Sequence, residues 1–198
     1  MLDYEVIMKS RIFVIKNNIA MITIQRITDT DSAEYRFMEG LMTQAFPREE
    51  YREPEELRAF TEKNRMFYNN LVCDEGRPVG LFTYWDFGTF HYVEHFAIAP
   101  EMRNRGYGKL VLDAVKAMIK TPLVLEVELP EDDIARRRIG FYERCGFILW
   151  ESDYRQPPYR KGDDFLPLRL MVCGRLDEAA SFDTVRRKIY ENVYGCDE

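Results

Sequence analysis

The stretch Arg103-Asn104-Arg105-Gly106-Tyr107-Gly108-Lys109 has the residue types and spacing to hold an anion. Its glycines let the backbone approach a ligand closely and adopt dihedrals that other residues avoid. Behind it, Leu110, Val111, Ala114, Val115 and Met118 recur at helical spacing, so the loop opens a helix. A helix start leaves several N–H groups unpaired, and its dipole favours negative charge there. Arg103, Arg105 and Lys109 strengthen such a site. A phosphate-bearing ligand follows, its identity still open. Two familiar phosphate loops are excluded by spacing. A P-loop needs a glycine five places before the Gly-Lys pair and Ser or Thr after it, where this chain has Arg103 and Leu110. A dinucleotide fingerprint needs glycine at the place held by Val111.

The elements around this loop can be read from periodicity. Residues 1–20 carry short β-prone runs without a helix cap, and form an expected N-terminal extension. From Met21, the run Ile22–Ile27 alternates like a half-buried strand. Thr28-Asp29-Thr30-Asp31 offers an N-cap for a helix with Tyr35, Met38, Leu41, Met42 and Ala45 on one face, closed by Phe46-Pro47. A second helix is predicted over Pro54–Lys63, with Leu57 and Phe60 inward. Met66–Cys73 and Pro78–Trp85 form a hairpin around Asp74-Glu75-Gly76-Arg77, and a further strand spans Thr89–Ala99. After the loop and its helix, Pro122 is a stop and Leu123–Leu129 reads as a buried strand. Glu131–Cys145 is helical, with Ile134, Phe141, Tyr142 and Cys145 on one side. Phe147–Trp150 is a strand, Tyr154–Asp164 a loop, and Leu166–Val172 the last strand. Phe182, Val185, Ile189 and Val193 mark a C-terminal helix that ends at Gly195. The order predicts a mixed α/β sheet.

Composition narrows the function. A net charge of −6 argues against broad nucleic-acid binding. Cys73, Cys145, Cys173 and Cys196 stand far apart, and with only His91 and His95 as imidazoles no metal site is expected. No run is long enough to span a membrane, and a cytoplasmic protein is the expectation.

Arg103-x-x-Gly106-x-Gly108 resembles the acetyl-CoA motif of the GNAT acyltransferases. It follows Val93-Glu94-His95-Phe96-Ala97-Ile98-Ala99-Pro100 and precedes a helix, where that family places it. Downstream, Gly140-Phe141-Tyr142-Glu143-Arg144-Cys145-Gly146-Phe147 is similar to the family's FYxxxGF segment. Residues at two fixed places ahead of the tyrosine, often Asn and Ala in the family, are Ala135 and Arg138 here. The resemblance implies a GNAT-like α/β fold, a mostly antiparallel central sheet flanked by helices. It covers about residues 21–175, leaving residues 176–198 as a C-terminal helical appendage. It implies an N-acetyltransferase that uses acetyl-CoA as co-substrate, with a primary amine, small molecule or peptide, as acceptor. A non-catalytic acyl-CoA-binding module, sensor or oligomerisation domain, is the alternative, and a homodimer is left open.

By the same resemblance, the loop Arg103 to Lys109, Asn104, Arg105, Gly106, Tyr107 and Gly108 included, binds the cofactor's diphosphate. Phe96, Ala97 and Ile98 offer backbone groups to its pantetheine arm. Tyr142 matches the tyrosine that protonates the departing thiolate, although a core tyrosine explains its position too. A general base is needed because amines arrive protonated. Strand alternation puts Phe90, Tyr92, Glu94, Phe96 and Ile98 on one face, which makes the Glu94 carboxylate the first candidate. Glu126 and Glu128 share a face of the next strand and are the runners-up; His95 falls on the opposite face and is left out. Arg136-Arg137-Arg138 reads as a solvated helix face before a 3′-phosphate contact, and Cys145 as an inert thiol. Phe46–Arg52 and Tyr154–Tyr159 are the expected acceptor walls.

Overall fold

A computed structural model describes residues 5–9, 12–16 and 21–196, the first two stretches as backbone only. The chain divides into two compact units. One holds the chain through Tyr84 together with His95–Lys120, and the other holds Trp85–Glu94 together with the chain from Thr121.

In the first unit, β1 (Glu5–Lys9), β2 (Ile12–Lys16) and β3 (Met21–Arg26) make an antiparallel meander, with Ile15 facing Val6 on one side and Ile22 on the other. β3 pairs antiparallel with β4 (Phe67–Asp74), Ile24 opposite Val72, both buried. β4 turns into β5 (Arg77–Asp86) through Glu75 and Gly76, with φ of 48° and 81°. Positive φ at both central residues is what a tight hairpin needs to follow the strands' twist. Between β3 and β4 lie α1 (Ala33–Ala45) and α2 (Pro54–Lys63), both packed on β4. The cap of α1 is Ser32, one residue beyond the expected stretch; its Oγ accepts from the Tyr35 N–H at 3.1 Å. The expected residues build the turn into that cap, since Asp29 Oδ1 accepts from the Asp31 N–H at 2.9 Å. Tyr35, Met38, Leu41 and Met42 are buried, which explains why the sequence stripe was readable.

β6 (His91–Ile98) runs from the second unit into the first, where α3 (Tyr107–Met118) follows it. In the second unit, β7 (Leu123–Glu128) pairs parallel with the start of β6, from His91↔Leu123 to Val93↔Leu125. On its other edge it pairs antiparallel with β10 (Leu166–Cys173), Glu126 opposite Leu170. The consecutive buried residues Leu123, Val124 and Leu125 are what a strand covered on both faces requires. β10 also pairs with β8 (Ile148–Leu149) and β9 (Tyr154–Gln156). β9 lies inside the expected loop; three residues are too few to show a period, and pairing with β10 decides them.

α4 (Asp133–Arg144) is capped by Asp132, which accepts from the Ala135 N–H at 2.7 Å. Ile134, expected to face inward, is 67% exposed; Cys145 is buried as expected, and Ala135 and Ile139 are buried with it. At the start of the helix the buried position is one residue on from the expected one, about 100° around the helix. α5 (Glu178–Ile189) continues into a π-helical turn, Tyr190–Tyr194, and buries Val185, Ile189 and Val193 as the spacing predicted. The class is mixed α/β, with a mostly antiparallel sheet and an added C-terminal helix.

Candidate active site

The loop before α3 differs from the starts of α1, α4 and α5, and also from that of α2, which lacks a capping side chain too but carries Glu55 and Glu56 in its first turn. Side chains of Ser32, Asp132 and Asp177 cap α1, α4 and α5, whereas α3 begins at Gly106, with no capping side chain and no acidic residue in its first turn. Asn104 and Gly106 both take positive φ, 61° and 82°. Such turns gather successive N–H groups toward one side and form an anion-binding concavity. The first intrahelical bond runs from the Leu110 N–H to the Gly106 carbonyl at 3.2 Å, so Tyr107 and Gly108 have no carbonyl behind their N–H groups. A Cβ at Gly106 would meet nothing within 4 Å, which leaves the approach open.

The basic side chains have distinct places. Arg103 Nε donates to the Ile98 carbonyl at 3.1 Å and fastens the loop to the end of β6. Arg105 is exposed. Lys109 reaches Asp113 at 2.5 Å, and Lys116 reaches the same carboxylate at 3.0 Å. Burial pushes Asp113 up, but the two ammonium groups outweigh it and hold the carboxyl below its usual range. The Tyr107 hydroxyl donates to Asp74 at 2.6 Å, so its phenol is held within the fold and its N–H is the group it leaves to the turn.

Along β6, Phe96 packs edge-on against Phe82 at 5.7 Å and Ala97 is buried. The Ala99 N–H continues the ladder to the Val79 carbonyl at 2.9 Å. A Cβ on Gly80 would lie 2.5 Å from the Ala97 carbonyl oxygen, so glycine is required where β5 meets the Phe96–Ile98 segment. His95 is buried, its ring between Thr83 at 3.3 Å and the Glu50 carbonyl at 2.8 Å, with Phe46 edge-on at 4.9 Å. Arg52 lies under Phe60 at 4.5 Å and is buried. Both residues build the first unit's interior.

In the second unit two carboxylates stand among tyrosines. Glu94 follows the last β6–β7 pair and is half-buried. It accepts from Trp85 Nε1 and from the Tyr159 hydroxyl, each at 2.9 Å. Glu126 accepts from Tyr154, from Tyr194 at 3.0 Å, and from Tyr92. Burial pushes its carboxyl up to about 7; the three hydroxyls oppose that shift and the charge of Glu94 adds to it. Burial raises Tyr92, Tyr154 and Tyr194 as well, so they stay protonated donors. Glu128 pairs with Arg138, and Arg136 with Asp133 at 2.8 Å, as a solvated helix face would have it. Tyr142 lies on α4 between Phe141 at 5.3 Å and Phe147 at 5.5 Å, and burial pushes its phenol up to about 12.

A sequence profile of the acetyltransferase (GNAT) family matches residues 19–147. The chain belongs to this family. Its fold and enzyme class follow: this is a GNAT acyltransferase, and GNAT enzymes take acetyl-CoA as co-substrate. A Bacteroides thetaiotaomicron protein, provisionally described as a GNAT-family acetyltransferase, is 51% identical, with 88% of this chain and 99% of that one covered and a TM-score of 0.86. A spermidine N-acetyltransferase SpeG chimera from Vibrio cholerae and hSSAT shares the fold at 19% identity, with 77% and 94% covered and a TM-score of 0.57. Arabidopsis thaliana Naa50, solved with the bisubstrate analogue CoA-Ac-MVNAL, does so at 14% identity, 78% and 99% covered, TM-score 0.57. No curated protein matches significantly in sequence.

The uncapped turn at Gly106 fits the diphosphate of the GNAT co-substrate, since it presents N–H groups and lacks a competing side chain. Sequence reasoning missed Gly80, Tyr92 and Tyr194. Gly80 could have been suspected as a lone glycine inside a strand pattern. The tyrosines carried no local signal, because their partner Glu126 is remote in sequence.

Proposed function

We propose that this GNAT enzyme transfers the acetyl group of acetyl-CoA to a primary amine, of a small molecule or a peptide, by direct attack in a ternary complex. The observation that carries this reading is Glu94, a half-buried carboxylate just past the end of the β6–β7 ladder and held by Trp85 and Tyr159. Glu94 takes a proton from the acceptor ammonium, and the freed lone pair attacks the thioester carbonyl carbon. The carbon–sulfur bond breaks, the thiolate departs, and the second proton that the new amide nitrogen must lose passes to that thiolate. Arg103, Asn104, Arg105, Gly106, Tyr107, Gly108 and Lys109 hold the diphosphate, and backbone groups of Phe96, Ala97 and Ile98 bond the pantetheine arm.

Tyr142 meets the leaving sulfur. A phenol near 12 holds its proton more firmly than a thiol with a reference value of about 8.5. Tyr142 therefore stabilises the thiolate chiefly as a hydrogen-bond donor, and complete transfer to sulfur is uphill. The buried Cys145 needs no covalent role in this scheme. Residues 21–175 are assigned as the catalytic domain.

The test is thiol release with acetyl-CoA and amines, amino acids and peptides varied together. Intersecting double-reciprocal lines are expected. Parallel lines, the mark of a covalent acyl-enzyme, or no turnover across the panel would overturn the reading.

A further inference from the structure

The C-terminal segment lies past the residues that the GNAT profile matches, yet it closes the cage around a buried carboxylate. Tyr194, in the turn after α5, donates to Glu126 Oε2 at 3.0 Å, and its oxygen is 3.1 Å from the Tyr92 hydroxyl. Tyr190, in the same turn, bonds the Arg155 carbonyl and packs edge-on against Tyr154 at 5.9 Å, behind another of Glu126's donors. Farther up α5, Lys188 reaches the Phe87 carbonyl at 3.3 Å, in the loop that leads into β6. Three residues of one appendage thus reach Glu126, two of its tyrosine donors and the loop before the strand that carries Glu94.

The two carboxylates are linked. The Tyr159 hydroxyl donates to Glu94, while its ring lies 4.9 Å from that of Tyr194. The charge on Glu94 strengthens proton binding at Glu126, and by reciprocity an ionised Glu126 strengthens Glu94 as a proton acceptor. The polar groups that face Glu126 are Tyr92 and Glu94 of β6, Tyr154 of β9 and Tyr194, with Tyr159 of the following loop facing Tyr194 in turn; its β10 neighbour is Leu170.

Building on the assignment of Glu94 as base, we propose that Glu126 is a positioning residue for it: ionisation of Glu126 places a second negative charge beside Glu94 as the acceptor gives up its proton, and the C-terminal turn governs that ionisation through Tyr194. The appendage is thereby part of the catalytic unit. No covalent step is involved; one proton leaves Glu126 for solvent, and another passes from the acceptor nitrogen to Glu94.

Infrared titration of the full chain, without substrates, follows the carbonyl stretch of a protonated buried carboxylic acid. The wild-type band should disappear with a midpoint near 7 and be missing from Glu126→Gln. In Tyr194→Phe, loss of one hydroxyl that stabilises the carboxylate should raise the midpoint by about one pH unit. The rising limb of kcat/KM against pH should move up with it. Glu94→Gln should lower the Glu126 midpoint. A wild-type band that does not titrate near neutrality, a midpoint indifferent to Tyr194→Phe, or a kcat/KM limb that stays while the midpoint moves would each overturn the proposal. Failure of the base assignment reads differently: Glu94→Gln would keep the wild-type rate, whatever the Glu126 band does. Tyr194→Phe removes one oxygen and keeps the ring, so the test survives if Glu126→Gln does not fold.

Discussion

The turn before α3 and the cage around Glu126 treat charge in opposite ways. The turn is open, made of backbone N–H groups at Asn104–Gly108, and has no side chain to satisfy its helix end. On the proposed reading it receives a charge from outside. The cage is closed and made of side chains, and Tyr92, Tyr154 and Tyr194 already occupy the carboxylate. It holds a charge that belongs to the protein and makes it expensive to create. Changes in the first region should therefore act on ligand affinity and spare the chemistry. Changes in the second should act on proton transfer and spare affinity.

The sharpest test of that separation is Glu94→Gln. Losing a general base lowers turnover by about 10²–10⁴-fold. The expected result is a fall of that size in kcat, with the acetyl-CoA dissociation constant unchanged by calorimetry. A matching fall in acetyl-CoA affinity would break the comparison.

Next comes the pH dependence of stability. Glu126 rises from an ordinary 4.5 to about 7 in the fold, so between those values the folded chain keeps a proton that the unfolded chain has lost. The resulting stability is full below about 4.5 and disappears as pH rises through 7, on the order of 3 kcal/mol in all. Thermal melting at about pH 5 and pH 8 should show wild type losing several degrees more than Glu126→Gln over that interval. Equal slopes would mean that Glu126 does not carry its proton into the neutral range.

These regions also differ in how far the sequence reveals them. The turn was legible because it is local: Arg103, Gly106 and Gly108 lie within six residues, and a helix needs only its own periodicity to be recognised. The hairpin at Glu75-Gly76 and the α5 stripe were readable for the same reason. The cage was not, since Tyr92, Glu126, Tyr154 and Tyr194 come from four elements and meet only through tertiary packing. Glu126 stood merely as a runner-up on alternation. Ile134 failed for a related cause, because a short helix offers two plausible apolar stripes and the Asp132 cap, with the packing beneath, selects one.

Gly106→Val probes the turn directly. Valine at a φ of 82° is strained by about 1–3 kcal/mol, and the chain relieves the strain by leaving the conformation that gathers the N–H groups. Acetyl-CoA should bind roughly five- to a hundredfold more weakly, with kcat at saturation largely kept. A loss of kcat at unchanged affinity would reverse the roles given to the two regions.

The smallest effect is expected at Tyr107→Phe, and it separates backbone from side chain within the turn itself. The phenol is committed to Asp74 at 2.6 Å, at the end of β4, and that bond, the largest cause, keeps its proton affinity above the usual tyrosine range. Removing the hydroxyl deletes a partly exposed tie between the start of α3 and the hairpin, at a cost of about 1 kcal/mol in stability by denaturant melting. The N–H of residue 107 stays where it was. If backbone alone receives the anion, acetyl-CoA affinity should change by less than about threefold, within the spread expected of a surface change. A drop of tenfold or more would mean that the phenol leaves Asp74 when ligand arrives and bonds it directly, and the turn would then be a side-chain site as much as a backbone one.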